Sequence, residues 1–330
     1  MTRVAINGLG RIGRATLKLV LAHEGLELVA VNDLASAQEL AYLLRYDSVY
    51  GRSARQVSTL GNRLVVDGQE IAVLNQREPA RLPWAEMGVD LVFECTGNFT
   101  KAEDLRQHLE AGARRVILSA PSKSAEVLTV VPGVNHAGEE QVFSCASCTT
   151  NCVAPVMEVL ARRIGVAKAL MTTVHAYTSS QAIVDRQAGK PERGRAAAIN
   201  LVPTSTGAAQ AALRVLPDLA GRFDGLAIRA PVPAGSLVDL TLVTARPTSV
   251  EEVNSIFREE AINPAYTEVL AVTEEPVVSS DVVRDPHAAV VDLRHTRVVD
   301  GDLVKVLAWY DNEWGYAAQM VREAARLNVA

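Results

Sequence analysis

Short hydrophobic runs alternate with helical patterns at the start of the chain, and each run predicts a buried β-strand. Residues 3–7 form the first run, a helical pattern through Leu17, Val20 and Leu21 follows, and residues 26–31 form the second run. Apolar runs of about four to eight residues that end at glycine or polar residues are typical of strands in a parallel sheet. The order strand, helix, strand predicts an α/β domain.

The same alternation continues along the first half of the chain. Residues 89–94 and 115–118 form two further strand-like runs, which end at Thr96-Gly97 and Ser119-Ala120. Small polar ends of this kind fit an open parallel sheet whose strand ends face a ligand. Ordinary turn chemistry explains the same residues equally well.

A glycine-rich turn, Gly8-Leu9-Gly10-Arg11-Ile12-Gly13, joins the first strand to the first helix. Gly8 permits the tight turn, Gly10 lets the backbone approach a pyrophosphate, and Gly13 lets the helix pack closely on the strand. The helix N-terminus favours the negative charge. Asp33 follows 20 residues after Gly13, where an acid accepts hydrogen bonds from the adenosine ribose and repels a 2′-phosphate. The pattern predicts binding of NAD in preference to NADP.

Composition excludes several classes of protein. The chain has 330 residues, of which 48% are hydrophobic and 22% are charged, as in a soluble protein of one large or two smaller domains. No apolar run reaches the roughly 20 residues of a membrane helix, and the first strand leaves no room for a signal peptide. A net charge of −5 with 5% aromatic residues does not favour nucleic-acid binding. Four cysteines are too few for a disulfide scaffold, so we expect a reduced, cytoplasmic protein without membrane or nucleic-acid partners.

Cys148 is the strongest candidate for a nucleophile. Small and hydroxyl residues surround it, and a helical pattern follows, with Gly165 as a plausible stop. At a helix N-terminus the dipole is expected to lower the pKa of a thiol. A strand-like run over residues 170–174 leads to His175, whose imidazole suits the role of a partner base.

Other interpretations of these cysteines must be weighed. An isolated cysteine is more often a small buried hydrophobe, and a lone histidine is usually structural. The spacing of Cys145, Cys148 and Cys152 can suggest a metal site, but zinc normally takes four ligands and no nearby residue completes the set. We therefore expect no metal. A redox pair formed by Cys145 and Cys148 stays open.

The chain resembles phosphorylating glyceraldehyde-3-phosphate dehydrogenases in five separated motifs, which cover essentially its whole length in order. The motifs are residues 6–14, 146–152, 175–178, 204–209 and 309–316. The resemblance implies an α/β fold, with a Rossmann-type doubly wound dinucleotide-binding domain and an α+β catalytic domain that has a mainly antiparallel sheet. The implied domains are residues 1–147 with 315–330, and residues 148–314.

The resemblance also implies the reaction. Cys148 would attack the aldehyde of D-glyceraldehyde 3-phosphate, and His175 would act as general base while NAD is reduced. Inorganic phosphate would then cleave the thioester on Cys148 and give 1,3-bisphosphoglycerate. The polar loop over residues 179–202 resembles the family's intersubunit loop and implies a homotetramer. The reversible reaction would belong to glycolysis or gluconeogenesis.

The resemblance to the family also implies the site residues. The substrate phosphate is assigned to Thr178, Arg193 and Arg229, of which Arg229 follows an apolar run and is expected to face inward. The attacking phosphate is assigned to Ser147, Thr149, Thr206 and Gly207. The cofactor residues are Gly8, Gly10, Arg11, Ile12, Gly13, Asp33, Arg77, Thr96, Ser119, Asn312 and Tyr316.

Departures from the family pattern keep alternatives open. Cys145 stands where the family usually has asparagine, and the loop of residues 185–190 gains Arg186 and Lys190, so use of NADP or of both cofactors is not excluded. The nearest alternative is erythrose-4-phosphate dehydrogenase, whose members depart from the Thr206-Gly207 pattern present here. An alternative of another class is a thiol redox or regulatory protein that uses Cys145 and Cys148.

Overall fold

The computed structural model describes residues 1–327, which form two compact units. Among the described residues, the first unit comprises Met1–Val130, His136–Ala146 and residues 317–327, and the second comprises Val131–Asn135 and Ser147–Tyr316. Each unit has its own large sheet. No helix within residues 1–327 combines the length and apolar character needed to cross a membrane.

The first unit alternates strands and helices. Its elements are β1 (Thr2–Asn7), α1 (Arg11–Val20), β2 (Leu26–Asn32), α2 (Ala37–Arg45), β3 (Tyr46–Asp47), β4 (Gly51–Arg52), β5 (Val57–Thr59), β6 (Arg63–Val66), β7 (Gln69–Leu74), β8 (Leu91–Glu94), α3 (Ala102–Glu110), β9 (Arg115–Leu118), β10 (Leu128–Thr129) and β11 (Val142–Ser144).

Strand order makes this unit doubly wound. The sheet runs β10-β11-β9-β8-β1-β2-β7-β6-β5, and all pairs from β10 to β7 are parallel. The chain starts at β1 and extends first towards β7 and later towards β10, so the order reverses between β1 and β8. In sheets of this type ligands bind outside the carboxyl ends of the strands at the reversal point. Asn7 and Glu94 pair there in register.

Glycines hold the first strand, turn and helix together. Gly8 has a φ of +92°, and a Cβ there would lie 2.8 Å from the backbone nitrogen of Thr96. A Cβ on Gly13 would lie 1.9 Å from the carbonyl oxygen of Gly8. Only glycine fits either position, so the tight turn and the close helix packing expected from the sequence are present.

The second unit is built around a seven-stranded sheet. Its elements are α4 (Cys148–Arg163), β12 (Val166–Ala176), β13 (Val202–Ser205), α5 (Ala208–Val215), β14 (Phe223–Ala230), β15 (Ser236–Thr244), α6 (Val250–Ala261), β16 (Leu270–Thr273), β17 (Ala289–Val299) and β18 (Leu303–Tyr310). The final helix, α7 (Trp314–Arg326), begins in this unit and continues into the first.

Antiparallel pairs predominate in the second sheet, as expected. Its order is β13-β14-β12-β15-β18-β17-β16, and only the pairs β12–β14 and β16–β17 are parallel among the described strands. The parallel pairing of β12 with β14 places His175 opposite Arg229. Two residues far apart in sequence thus become lateral neighbours.

The predicted element bounds agree closely with the structure. The strand expected over residues 89–94 is shorter, Leu91–Glu94, because the backbone N–H of Val89 bonds to the carbonyl of Trp84 instead of joining a ladder. Helix α4 ends at Arg163, and Gly165 follows with a φ of +73°. The α/β fold class, with a Rossmann-type unit and a mainly antiparallel second sheet, is confirmed.

Candidate active site

Cys148 is the first residue of α4, and the conformation of the two residues before it fixes where the helix begins. Ser147 is the N-cap, and its hydroxyl accepts a hydrogen bond of 3.2 Å from the backbone N–H of Thr150. Ala146 has a φ of +55°, which is rare for a residue with a Cβ. The N–H groups of the first turn point outward at a helix N-terminus, where they stabilise negative charge.

His175 lies beside Cys148 near the end of β12. Its Nε2 is 3.4 Å from the Cys148 sulfur. Its Nδ1 is 2.6 Å from the carbonyl oxygen of Ala176 and 2.7 Å from Nη1 of Arg229, which itself donates to that carbonyl at 3.0 Å. Because the Ala176 carbonyl can only accept, we assign the proton to Nδ1, which donates to that carbonyl, and Arg229 then directs its N–H to the same carbonyl and not to Nδ1. In this tautomer the lone pair of Nε2 faces the thiol, as a general base requires.

Burial changes the charge state expected of this pair. Burial, and then the guanidinium of Arg229, lowers the pKa of His175 to about 3. Burial also raises the pKa of Cys148, although Arg229 and the hydroxyl and N–H of Thr149 act in the opposite direction. The expectation that the helix dipole lowers the pKa of the thiol is therefore wrong for the net shift, because desolvation is the larger effect. Thiol and imidazole are both neutral at pH 7.

Hydrogen bonds between hydroxyl groups connect the start of α4 to the sheet of the second unit. The Tyr310 hydroxyl lies 2.8 Å from that of Thr149 and 2.9 Å from that of Thr173, and all three side chains are buried. The Tyr310 ring meets the His175 ring edge-on, with 6.0 Å between centroids. The sequence did not single out Tyr310, although it lies within the motif of residues 309–316. Thr149, assigned to phosphate, is buried, and its hydroxyl bonds to that of Tyr310.

The remaining anion-binding candidates lie on loops and element ends of the second unit. Arg193 donates to the Thr204 hydroxyl at 3.1 Å and to the Ser205 carbonyl at 3.2 Å. Thr178 shares a 2.9 Å hydrogen bond with Ser180. The Thr206 hydroxyl accepts from the N–H of Ala208 at 3.1 Å, and exposed Gly207 directly precedes α5. Arg229 faces inward, as expected, and its buried Nε has no partner within residues 1–327.

A second candidate site is a cavity of about 390 Å³ at the reversal point of the first sheet. Five predicted cofactor residues line it: Gly8, Gly10, Asp33, Arg77 and Thr96. The sequence did not identify the other lining residues, which are Asn7, Asn32, Leu34, Gln76, Cys95, Asn98 and Phe99. Asn7 and Asn32 are the last residues of β1 and β2, and Gln76 lies just beyond β7. Their position at the carboxyl ends of predicted strands is a signal that could have identified them.

The shape of the turn fits a dinucleotide. A Cβ on Gly10 would meet no atom within 4 Å, so the backbone there borders open space that a pyrophosphate can approach. Helix α1 has no capping side chain and no acid in its first turn, which leaves its N-terminus suited to an anion. Asp33, the acid predicted to bind ribose, accepts the N–H of Leu9 at 2.7 Å and so also stabilises the turn.

Other predicted cofactor residues lie outside this cavity lining. Ile12 and Gly13 lie within α1, and Arg11 forms a 2.7 Å ion pair with Asp47. Ser119 follows β9 and hydrogen-bonds the Cys95 thiol. In the second unit, buried Asn312 accepts the Ser236 hydroxyl at 3.0 Å, and Tyr316 is buried.

Comparison with known proteins decides the family. A family model described as the NAD binding domain of glyceraldehyde 3-phosphate dehydrogenase matches residues 2–102, and the corresponding C-terminal domain matches residues 147–312. The chain is 48% identical to glyceraldehyde-3-phosphate dehydrogenase of Zymomonas mobilis over 330 residues, covering 98% of each chain. It is 47% identical to the enzyme of Geobacillus stearothermophilus, covering 98% of this chain and 97% of the relative. The chain belongs to the glyceraldehyde-3-phosphate dehydrogenase family.

Family membership confirms the recognition made from the motifs, and with it NAD as the cofactor. The competing thiol redox interpretation is not favoured, and the structure supplies a physical reason. Cys145 is fully buried, and burial, Glu323 and Cys95 raise its pKa well above the usual range. Within residues 1–327 no group of three or more histidine, cysteine or acidic side chains could hold a metal ion.

Proposed function

We propose that this chain oxidises D-glyceraldehyde 3-phosphate to 1,3-bisphosphoglycerate, reducing NAD and consuming inorganic phosphate. The observation that carries the proposal is the 3.4 Å contact between the Cys148 sulfur and Nε2 of His175 at the N-terminus of α4. In a member of this family, that pairing supplies a covalent nucleophile and its base.

The first step is attack by sulfur on the aldehyde carbon. Nε2 of His175 accepts the thiol proton as the carbon–sulfur bond forms, and the proton passes to the former carbonyl oxygen to give a hemithioacetal. A neutral imidazole can accept a proton, so the low pKa of His175 keeps the base in its working form. The first-turn N–H groups of α4 stabilise the negative charge that develops at the oxygen.

Oxidation converts the hemithioacetal to a thioester. Nε2 takes the hydroxyl proton, the carbonyl double bond re-forms, and the hydrogen on carbon departs with its electron pair. NAD, when bound, supplies the acceptor for that electron pair. The Ala176 carbonyl, which accepts from Nδ1–H at 2.6 Å, stabilises the imidazolium that results.

Phosphate then attacks the thioester carbon and Cys148 leaves as a thiolate. The imidazolium of His175 returns a proton to sulfur, the proton lost by phosphate goes to solvent, and the acyl phosphate is released.

The reaction requires that two anions, the substrate phosphate and the attacking phosphate, are held beside the Cys148 thiol. We assign the substrate phosphate to Thr178, Arg193 and Arg229, because arginine forks and hydroxyls suit phosphate.

For the attacking phosphate we propose Ser147, Thr149, Thr206 and Gly207. The support is their place at two helix N-termini: Ser147 and Thr149 flank the start of α4, and Thr206 and Gly207 precede α5. Backbone N–H groups at such ends bind anions. The residues that would hold NAD are Gly8, Gly10, Arg11, Ile12, Gly13, Asp33, Arg77, Thr96, Ser119, Asn312 and Tyr316.

We further propose the functional division implied by the motifs, with residues 1–147 and 315–330 binding the cofactor and residues 148–314 carrying catalysis.

Assembly as a homotetramer is also proposed. Its support is the loop of residues 179–202, where the side chains of Ile183, Val184, Ile199 and Leu201 are all more than two-thirds exposed in the single chain. Apolar exposure of this extent favours burial in a subunit interface. A cytoplasmic location accords with the buried free thiols.

One assay tests the reaction. NADH formation is followed with glyceraldehyde 3-phosphate in the presence and absence of phosphate, with erythrose 4-phosphate as competing substrate and NADP as competing cofactor. We expect continuous turnover only with glyceraldehyde 3-phosphate, NAD and phosphate together. Turnover that is independent of phosphate would rule out the acyl-phosphate product.

A further inference from the structure

Three buried hydroxyl groups form a chain that ends beside the nucleophile, and the mechanism above does not use it. The Thr173 hydroxyl on β12 lies 2.9 Å from that of Tyr310, the last residue of β18, and the Tyr310 hydroxyl lies 2.8 Å from that of Thr149. All three side chains are buried. Strands β12 and β18 flank β15, so the chain of hydroxyls runs from the sheet to the first turn of α4, where Thr149 directly follows Cys148.

The direction of these hydrogen bonds follows from the partners at the two ends. Each hydroxyl has one proton to donate. The Thr149 hydroxyl bonds to the Cys148 sulfur as well as to Tyr310, whereas the Thr173 hydroxyl has no partner except Tyr310 within residues 1–327. If the bonds ran from Thr149 towards Thr173, the last proton would be buried without an acceptor, which is unfavourable. The bonds therefore run from Thr173 through Tyr310 and Thr149 to the sulfur.

The sulfur can accept this hydrogen bond in both of its protonation states. As a thiol, Cys148 directs its proton at Nε2 of His175, 3.4 Å away, and its lone pairs stay available to Thr149. As a thiolate it keeps the same donor. Burial raises the pKa of Cys148 overall, and the Thr149 hydroxyl, after Arg229, is one of the groups that oppose burial. Hydrogen bonds to charged groups are stronger than those to neutral groups, so the donor stabilises the thiolate more than the thiol.

Within residues 1–327, the titratable or charged groups that interact with the sulfur lie on four elements. Arg229 on β14 is cationic, and His175 on β12 is neutral at pH 7 because burial, and then Arg229, lowers its pKa to about 3. Burial raises the pKa values of Tyr310 on β18 and of Cys152 on α4 well above their usual ranges. Tyr310 therefore stays protonated and remains able to donate to Thr149.

We propose that Thr173, Tyr310 and Thr149 form a hydroxyl chain that directs a hydrogen bond at the Cys148 sulfur and stabilises its thiolate. No proton leaves any of the three hydroxyls. The inference rests on the proposed function and deepens it, because sulfur leaves as a thiolate when phosphate cleaves the thioester. Thr149 contacts the reacting atom, whereas Tyr310 and Thr173 are positioning residues that act through Thr149.

The test measures how readily Cys148 ionises. Iodoacetamide reacts with thiolates, so the alkylation rate of the protein without substrate is followed from pH 6 to pH 11, and peptide mass spectrometry identifies the labelled cysteine. In Thr149→Val, which keeps the shape of the side chain and removes the hydroxyl, we expect the thiolate fraction below the midpoint to fall about 10-fold, as for loss of a hydrogen bond to a charged group. Thr149→Ser keeps the hydroxyl and should stay within about twofold of the natural chain.

The positioning role of Tyr310 has its own variant and a matched control. In Tyr310→Phe the thiolate fraction should fall roughly 2- to 3-fold, because Thr149 loses the donor that polarises it. The control is Tyr266→Phe, whose buried hydroxyl also bonds to α4, but to Glu158 and Arg162 near the other end of that helix. We expect the control to leave the Cys148 profile unchanged. An equal shift in both tyrosine variants would mean a general loosening of α4 and would overturn the inference.

An unchanged profile in Thr149→Val or in Tyr310→Phe would also overturn it, as would a Thr149→Ser profile that matches Thr149→Val. If Thr149→Val does not fold, Thr149→Ala removes the same hydroxyl and should show the same shift. Alkylation involves neither substrate nor phosphate, so the profiles test the hydroxyl chain independently of the phosphate assignment of Thr149. A natural chain that does not oxidise glyceraldehyde 3-phosphate would refute the proposed function, while the profiles would still decide whether the hydroxyl chain acts on the sulfur.

Discussion

Two buried polar side chains, Glu94 in the first unit and Arg229 in the second, differ in how fully their polar atoms are hydrogen-bonded. In the first unit, both oxygens of Glu94 are saturated by donors, and each donor belongs to a strand end or to the core. In the second unit, Nε of Arg229 is buried without a partner in the described chain, and the low pKa of His175 reflects burial first and then repulsion by the Arg229 charge. A saturated network holds a binding site in place, whereas an unsatisfied one leaves groups available to a substrate.

Loss of the nucleophile should have the largest effect. Cys148→Ser should lower kcat by about 10⁴-fold or more, because the hydroxyl is a far weaker nucleophile beside a base whose pKa is already low. NAD affinity should change little, which calorimetry can check. The control is Cys145→Ala, where a buried thiol outside the mechanism is removed and turnover should persist. Retained dehydrogenase activity in Cys148→Ser would refute the covalent mechanism.

Removal of the base should have the next largest effect. His175→Asn should lower kcat by about 10²- to 10⁴-fold, the usual contribution of a general base. The loss should shrink as the pH rises, since more of the Cys148 thiol then ionises without help. Steady-state rates from pH 6 to pH 10 measure this. A loss that is constant over that range would mean that His175 does not take the thiol proton.

Arg229, whose buried Nε has no partner in the described chain, should contribute mainly to substrate binding. Arg229→Leu should lower kcat/KM for glyceraldehyde 3-phosphate roughly 10- to 100-fold, the value of lost charge-assisted hydrogen bonds. Glyceraldehyde, which has no phosphate, should lose much less, and the comparison of the two substrates is the measurement. The pKa of His175 should also rise, because Arg229 is one cause of its depression. Equal losses for both substrates would argue against a phosphate contact.

The depressed pKa of His175 also predicts how stability depends on pH. The folded-state value of about 3 lies below the ordinary 6.5, so the unfolded chain binds more protons at acidic pH. Stability should therefore fall as the pH drops below 6.5, by about 2 kcal/mol between pH 7 and pH 5 from this residue. Urea unfolding at fixed protein concentration measures the change. His175→Asn should lack that part of the loss, and an identical pH dependence in both chains would contradict the burial argument.

The smallest expected effect concerns cofactor choice in the first unit. Asp33→Ser should raise the KM for NAD roughly 10-fold, since a carboxylate that accepts ribose hydrogen bonds is lost, and should improve the use of NADP because repulsion of a 2′-phosphate is removed. The ratio of kcat/KM values for the two cofactors is the measurement. An unchanged ratio would show that Arg186 or Lys190, and not Asp33, sets the preference.

Much of the fold and of the site was predictable from the sequence because the signals are local. Short apolar runs predicted β1, β2 and β9, and the glycine pattern predicted the turn at Gly8, since φ and close packing are properties of neighbouring residues. Cys148 at the start of a helix is local in the same sense, because Ser147 caps the helix next to it in the chain. The side chains of Asn7, Asn32 and Gln76 in the cofactor cavity carried only the weaker signal of their position at strand ends.

The tertiary structure alone decided the electrostatics. The sign of the pKa shift of Cys148 follows from burial, which no local pattern reveals, and it reversed the expectation based on the helix dipole. Arg229 meets His175 across 54 residues of sequence because β12 and β14 pair in parallel register. Glu94 likewise gathers partners from distant elements. Sequence determined which groups are present and how the backbone near each one turns, whereas solvent exclusion and long-range pairing, which set charge and reactivity, exist only once the chain is packed.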